Sequence, residues 1–320
     1  MKLSVLTVPL YGMPADEAFA YLSRLGVEQV EIGAGGYPGD KHLKPSVYLN
    51  DEGKLEEYRA MLKRNHLEIS ALSCHGNPVH PNRERAEKDH NDFVNACKLA
   101  QKLDVKTVVT FSGCPGDCPE SKRPNWVTCA WPPDYREILD WQWNEVLIPY
   151  WKKAAEITEA CGVRIAFEMH PGFCVYNPRT LLRLREAVGD VIGANFDPSH
   201  LFWQGIDPVA ALKELKGAVY HFHAKDTAID QYNTAKNGVL DTIPFANMYD
   251  RSWVFRTVGY GSDDKVWKDM ISTLRQIGYD GAVSIEHEDG LMSPREGLEK
   301  AVGFLKGILI QEQPGAMWWS

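Results

Sequence analysis

The stretch Ile165-Ala166-Phe167-Glu168-Met169-His170 decides the fold: an apolar run of strand length stops on a carboxylate and then an imidazole. The same pattern returns in Gly193-Ala194-Asn195-Phe196-Asp197-Pro198-Ser199-His200, in Tyr220-His221-Phe222-His223-Ala224-Lys225-Asp226 and in Ser284-Ile285-Glu286-His287-Glu288-Asp289. Each run ends on the residue types that bind divalent metals and move protons. Function is expected at these ends.

Working outward, strand and helix patterns alternate along the whole chain. Strands are predicted over 2–8, 27–33, 67–74, 105–111, 162–169, 192–196, 219–222 and 282–285. Helical spacing of apolar residues predicts helices over 15–25, 55–65, 83–103, 141–160, 180–188, 208–215, 264–277 and 294–310. The run Val105 to Phe111 is almost continuously apolar, as a parallel strand buried on both faces requires. Eight strands, each followed by a helix, predict an α/β fold: a single-domain (β/α)₈ TIM barrel over residues 1–310, followed by a C-terminal aromatic tail at 311–320. A doubly wound sheet fits less well because its Gly-rich phosphate turn is missing. Residues 112–135 and 227–258 read as long loops, the first rich in Pro, Gly, Cys and Trp and expected to act as a lid. The tail, with Trp318 and Trp319, is expected to pack on the barrel or on another subunit, so a homo-oligomer stays open.

At 320 residues with 44% hydrophobic content the chain has ample material for one large core. A net charge of −8 argues against a grip on nucleic acid, which needs clustered Lys and Arg. The seven cysteines are an odd number and follow no zinc-ribbon spacing, so reduced thiols in a cytoplasmic protein are the simpler reading. No signal peptide and no membrane span are expected. A small-molecule substrate remains.

In a parallel barrel the C-terminal strand ends open on one face, so Glu168, Asp197, His223 and Glu286 would converge there. Singly, each could be a paired carboxylate or a hydrogen-bonded histidine. At four equivalent strand ends they make a site for one divalent metal ion. Three carboxylates and one imidazole suit Mn²⁺ foremost, with Mg²⁺ or Co²⁺ next; Zn²⁺ would be more expected with additional imidazole or thiolate ligands. Cys114, Cys118 and Cys129 lack a clear fourth ligand for a second ion.

These motifs resemble the xylose isomerase-like barrels, a group of sugar phosphate isomerases, ketose 3-epimerases, inosose-processing enzymes and apurinic endonucleases. The resemblance runs along nearly the whole chain. In the ketose 3-epimerase branch Glu, Asp, His and Glu hold the metal, matching Glu168, Asp197, His223 and Glu286. The resemblance further implies that Glu168 and Glu286 are the catalytic proton-transfer pair. Asp197-Pro198-Ser199-His200 is similar to the family's Asp-x-x-His, whose His faces substrate, and Arg256-Thr257-Val258-Gly259-Tyr260-Gly261 to its Arg-x-x-Gly-x-Gly turn. His200 and Arg256 are thereby candidate substrate contacts. One departure concerns specificity: Cys174 stands where the epimerases carry a second acidic residue.

His75, His170, Trp203 and Lys225 are further substrate-binding candidates, each with a plainer alternative: a backbone hydrogen bond for a histidine, packing for Trp203, an ion pair with Asp226 for Lys225. The reading that follows is an isomerase or epimerase of a carbohydrate, in which the ion lowers the free energy of a cis-enediolate while the glutamates move the proton. A metal-dependent lyase, deglycosidase or dehydratase acting on a keto-glycoside or inosose is the alternative. An apurinic endonuclease-type phosphodiesterase fits less well, because the fourth strand ends in Phe111-Ser112-Gly113 without histidine and the chain is acidic. A non-catalytic sugar-binding barrel would leave two strand-end glutamates without purpose.

Overall fold

In the computed structural model, which describes residues 1–319, eight parallel strands close into a barrel. In chain order the strands are β1 (Lys2–Leu6), β2 (Gln29–Gly33), β3 (Glu68–Ser73), β4 (Thr107–Thr110), β5 (Arg164–Glu168), β6 (Ile192–Phe196), β7 (Val219–Ala224), β8 (Asp226–Ile229), β9 (Trp253–Arg256) and β10 (Ala282–Ile285). The barrel runs β1-β10-β7-β6-β5-β4-β3-β2, so β10 is the eighth barrel strand and closes against β1 with Ser4 opposite Ser284. Helices between successive strands cover its outside.

The two-residue period of each strand sorts its side chains between the inner and outer faces. Val30, Ile32, Leu72, Val108, Ile165, Phe167, Phe196, Val283 and Ile285 join the large apolar core with helix residues such as Phe19, Leu22, Phe93 and Trp151. The alternate positions face inward. Ala71, Val109 and Ala166 make a small separate apolar layer. Ser4, Glu31, Ser73, Asn195, His221, His223 and Ser284 fill the barrel with buried polar groups. A polar barrel interior is costly unless every group is bonded. Its hydrogen bonds are therefore the key to the site.

Three local expectations change. The helix predicted over 141–160 begins earlier: Pro133–Trp141 is α-helical, Gln142–Leu147 forms a π-helical segment, and Ile148–Ala160 continues as α-helix. Pro149 follows directly on the wide π turn, where its missing N–H breaks no regular ladder. Gln142 is buried there and donates to the carbonyls of Gly116 (2.9 Å) and Asn125 (2.7 Å), which fastens the 112–132 loop to the barrel.

The second expected loop is not irregular. β8 pairs antiparallel with β9, with Asp226 opposite Arg256 and Ile229 opposite Trp253, and Gln231–Asn237 forms a helix between them. The Arg256–Gly261 turn wraps the Asp226 carboxylate, whose Oδ2 accepts from the N–H groups of Gly259 (3.0 Å), Gly261 (3.1 Å) and Ser262 (3.1 Å) and from Trp267 Nε1 (3.1 Å). A Cβ at position 261 would lie 2.5 Å from the Thr227 backbone, which is why glycine stands there.

Of the two expectations for the tail, packing on the barrel is not met within this chain. Gln311 to Trp319 are exposed, and Trp318 and Trp319 meet edge to face at 5.6 Å without being buried on the barrel. Gln313 still reaches Asp280, which also holds the N-terminal ammonium. None of the seven cysteines forms a disulfide. Among the described residues no helix is long and apolar enough to cross a membrane.

Candidate metal centre

Glu168 ends β5, Asp197 follows β6, His223 is the penultimate residue of β7 and Glu286 follows β10. Barrel closure brings one ligand atom of each within 4.8 Å of all the others. His223 is the hinge of the arrangement. Its Nδ1 lies 3.1 Å from Glu286 Oε2 and 3.2 Å from Glu168 Oε2, while its Nε2 lies 2.9 Å from both oxygens of Glu31.

Glu31, from the middle of β2, was not foreseen as part of the site. Its carboxylate also accepts from Ser73 and from Ser284 (2.7 Å), so every side of it is bonded. Burial alone would push its pKa up, but the imidazoles of His223 and His221 outweigh that and hold it down at about 2. An ionised Glu31 takes the Nε2–H of His223 and turns Nδ1 toward the mouth. Histidine ligands of metals are oriented in this way by an outer carboxylate.

Glu168 is wrapped by donors. His75 Nε2 and Asn195 Nδ2 each lie 3.0 Å from its Oε2, and His200 Nε2 lies 3.0 Å from its Oε1. Burial disfavours its charge, yet the surrounding imidazoles keep it well below the usual carboxylate range. His221 is deeper, with Nδ1 3.0 Å from Asn195 Oδ1, so its part is to fix Asn195 rather than to meet substrate. His170 stacks obliquely on His200 at 4.1 Å; burial and His200 bring its pKa to about 3, so it is neutral at ordinary pH.

Asp197 is treated differently. Its Oδ1 accepts from the Ser199 N–H at 2.8 Å, but its buried Oδ2 accepts no hydrogen bond, although Lys225 Nζ is 3.1 Å away and His200 Nε2 3.3 Å. Burial, together with the charges of Glu168 and Glu286, pushes its pKa up to about 6 against the pull of Lys225. Lys225 Nζ is itself buried and lies 2.7 Å from Glu286 Oε2 and 3.1 Å from Glu288 Oε2. Lys225 thus pairs with Asp197, Glu286 and Glu288, and not with Asp226. An orphaned carboxylate oxygen and an imidazole Nδ1 facing two carboxylates both fit a bound divalent cation.

The remaining candidates divide between two cavities. A cavity of about 230 Å³ is lined by His75, Glu168 and Glu286 together with Tyr37, Phe111 and Glu288. A second, of about 540 Å³, is lined by His170, His200 and Trp203 with Trp126, Trp253 and Phe255. Arg256 lines neither; its Nε is held 3.0 Å from Asp289 Oδ2. Among the described residues, no group able to hold a metal ion includes Cys114, Cys118 or Cys129. Glu31 and Glu288 could have been noticed in the sequence, the first as a carboxylate inside an apolar strand, the second two residues beyond Glu286.

Comparison with known proteins gives the same architecture. Residues 19–308 match the family model described as xylose isomerase-like TIM barrel. The uncharacterized protein YfiH of Bacillus subtilis (strain 168) is 41% identical over 315 residues, 97% of this chain and 100% of that protein. An inosose dehydratase of Geobacillus kaustophilus is 25% identical over 154 residues, about half of each chain (48% and 48%). Among solved structures, the probable 3-DHS dehydratase AsbF of Bacillus anthracis superposes with a TM-score of 0.67 at 17% identity, covering 96% of this chain and 99% of that one. The IOLI protein with a bound zinc atom superposes at 0.65 and 19% identity, covering 97% and 98%. At those identities the superpositions show the fold alone.

Proposed function

The chain belongs to the xylose isomerase-like TIM barrel family, and on that premise we propose that it is a divalent-metal-dependent isomerase or epimerase acting next to the carbonyl of a small carbohydrate. One observation carries the reading. Glu168 and Glu286, both within the candidate ligand group, also both line the 230 Å³ cavity, so two carboxylates face one substrate-sized space. Glu168, Asp197, His223 and Glu286 would hold the ion, with Mn²⁺ foremost. When bound, the ion would draw negative charge from a carbonyl and an adjacent hydroxyl oxygen and so make a neighbouring C–H proton easier to remove.

The protein's own part is proton movement and orientation. One glutamate takes the proton from its face of the carbon. The other, entering the step protonated, gives a proton to the opposite face for epimerisation, or to the neighbouring carbon for isomerisation. His75 and His200 hold the two oxygens of Glu168 in place, and Lys225 steadies Glu286.

A second reading shares this first step. If an oxygen substituent on the next carbon leaves before the proton returns, the product is that of a dehydratase or lyase. Three histidines gather near Glu168, where one could protonate a leaving oxygen, and a relative is named an inosose dehydratase.

Incubation of the Mn²⁺-loaded protein with ketoses, keto-sugars and inososes in D₂O tests both. Deuterium in a product of otherwise unchanged composition is the outcome for isomerisation or epimerisation, whereas loss of water or of an alcohol identifies the lyase. Glu168→Gln and Glu286→Gln should each keep the fold and lose turnover by about 10² or more. Near-normal turnover in both variants would remove the glutamates from the proton step.

A further inference from the structure

The metal centre is flanked by two cavities of different character. The smaller, about 230 Å³, contains Glu168 and Glu286 and has room for a single ring next to them. The larger, about 540 Å³, lies on the other side of His200, whose Nε2 bonds Glu168 at 3.0 Å. Glu288 lines both, so the two cavities adjoin at this side chain, two residues beyond Glu286. A free monosaccharide reacting between Glu168 and Glu286 has no use for the larger space.

Its walls are aromatic. Trp203 and Trp253 stack face to face at 4.6 Å, Phe245 and Phe255 stack at 5.7 Å, and Trp126 closes the side formed by the 112–132 loop. Phe245 is 58% exposed and Leu240 is 70% exposed, which leaves an apolar rim uncovered at the entrance. Flat aromatic walls accept the apolar face of another ring.

The same walls offer hydrogen-bond donors that nothing takes up. Of the three indoles lining the cavity, Trp253 donates its N–H to the Val239 carbonyl at 3.0 Å. The buried Nε1 atoms of Trp203 and Trp126 have no partner, and Trp203 is only 6% exposed. A buried N–H without an acceptor costs free energy that an acceptor oxygen on a ligand would recover. A hydrocarbon would cover the rim but leave both donors unpaired.

We propose that the substrate is a glycoside of two rings: a carbonyl-bearing ring between Glu168 and Glu286, and a second, oxygen-bearing ring in the aromatic cavity bonded by Trp203 and Trp126. The position of the first ring rests on the proton-transfer reading above. The second ring is either another sugar or an oxygenated aromatic aglycone, since both present a flat apolar face and acceptor oxygens.

Binding of unreactive glycosides separates this from the reaction itself. Methyl β-glucoside, methyl β-cellobioside and 4-hydroxyphenyl β-glucoside are blocked at the anomeric carbon and carry no carbonyl for proton abstraction, so calorimetric titration of the Mn²⁺-loaded protein reads affinity without turnover. At least one two-ring glycoside should bind about tenfold tighter than the methyl glycoside. A gain for methyl β-cellobioside alone assigns a second sugar, and a gain for the hydroxyphenyl glycoside alone assigns an aromatic aglycone. Phe245→Ala and Trp203→Phe should each reduce that preference by about three- to tenfold while leaving methyl glucoside binding unchanged. Trp203→Phe keeps a ring and removes only the N–H, and Phe245 is exposed enough to be truncated without harm to the core. Equal affinity for all three glycosides, no binding by any, or a preference that survives both substitutions would overturn the proposal. Failure of deuterium exchange would instead count against the reaction and leave the binding ratio untouched.

Discussion

Glu31 and Asp197 are both fully buried in one barrel, yet Glu31 accepts hydrogen bonds from Ser73, Ser284 and His223 while Oδ2 of Asp197 accepts none. The consequences run in opposite directions. Burial is overcome at Glu31 by the histidines, which hold its pKa near 2, and is reinforced at Asp197 by Glu168 and Glu286, which help raise its pKa to about 6. Glu31, set at mid-strand and bonded to Ser73, Ser284 and His223, orients a neighbour. Asp197, crowded by like charge and left with an Oδ2 that accepts no hydrogen bond beside the Lys225 ammonium, gains from an added cation. The inner end of the barrel is thus built to hold His223 still, and the mouth is built to be completed.

The largest effect that would sharpen this contrast is expected at the mouth. Asp197→Asn removes a charged ligand and should lower Mn²⁺ affinity by more than about 100-fold, beyond the range of outer-shell changes. The metal-free variant should melt no lower than the parent, because a source of repulsion is gone. Equilibrium dialysis and thermal melts in chelator measure both, and undiminished metal binding would dissolve the distinction.

Glu31→Gln should lower affinity less, by about 10- to 100-fold, because the ligands remain and only the orientation of His223 suffers. Unlike Asp197→Asn, it should also destabilise the metal-free fold, by about 3 kcal/mol, since a buried imidazole loses its carboxylate. Denaturant unfolding in chelator is the measurement. A stability equal to that of the parent would mean that Glu31 is not the anchor of His223.

The smallest effect concerns pH. Below about pH 6 the metal-free protein carries a proton on Asp197, which an incoming ion must displace, whereas above that value Asp197 is already ionised. The fall in affinity should therefore steepen by up to about tenfold per unit below pH 6, on top of a dependence that persists above it. Burial of His223 is outweighed by Glu31 and Glu286, which hold its pKa well above the ordinary value, so the ion must also displace the Nδ1 proton. Glu31, with its pKa near 2, stays ionised throughout, so Glu31→Gln should lower the whole curve without moving its break. A break that moves with Glu31→Gln would assign the titration to the His223 pair.

The barrel and the candidate ligands were legible for a local reason. A strand buried on both faces must be apolar over its length, and the residue at its C-terminal end must face the mouth, so the stretch ending at Glu168 reports its own position. The same reasoning failed over residues 227–258, where β8 and β9 are short and pair across an intervening helix, Gln231–Asn237, and a further stretch of chain rather than across a tight hairpin turn. It also offered Lys225 an ion pair with Asp226 as its plainer alternative, whereas Asp226 spends its Oδ2 on the backbone of the 259–262 turn.

By itself, then, the sequence determined eight strands, their order with the helices, and the carboxylates and imidazole at their ends. Each of these is written in the period of a single element. Tertiary structure alone decided which side chains meet: Glu31 reaches His223 across 192 positions, Lys225 enters the carboxylate group, and Trp203 stacks on Trp253 beside the mouth. The physical reason is closure. The stagger of the strands sets which inward side chains share a level of the barrel, and only at a shared level is a buried charge either fully bonded, like Glu31, or left with an oxygen open, like Asp197.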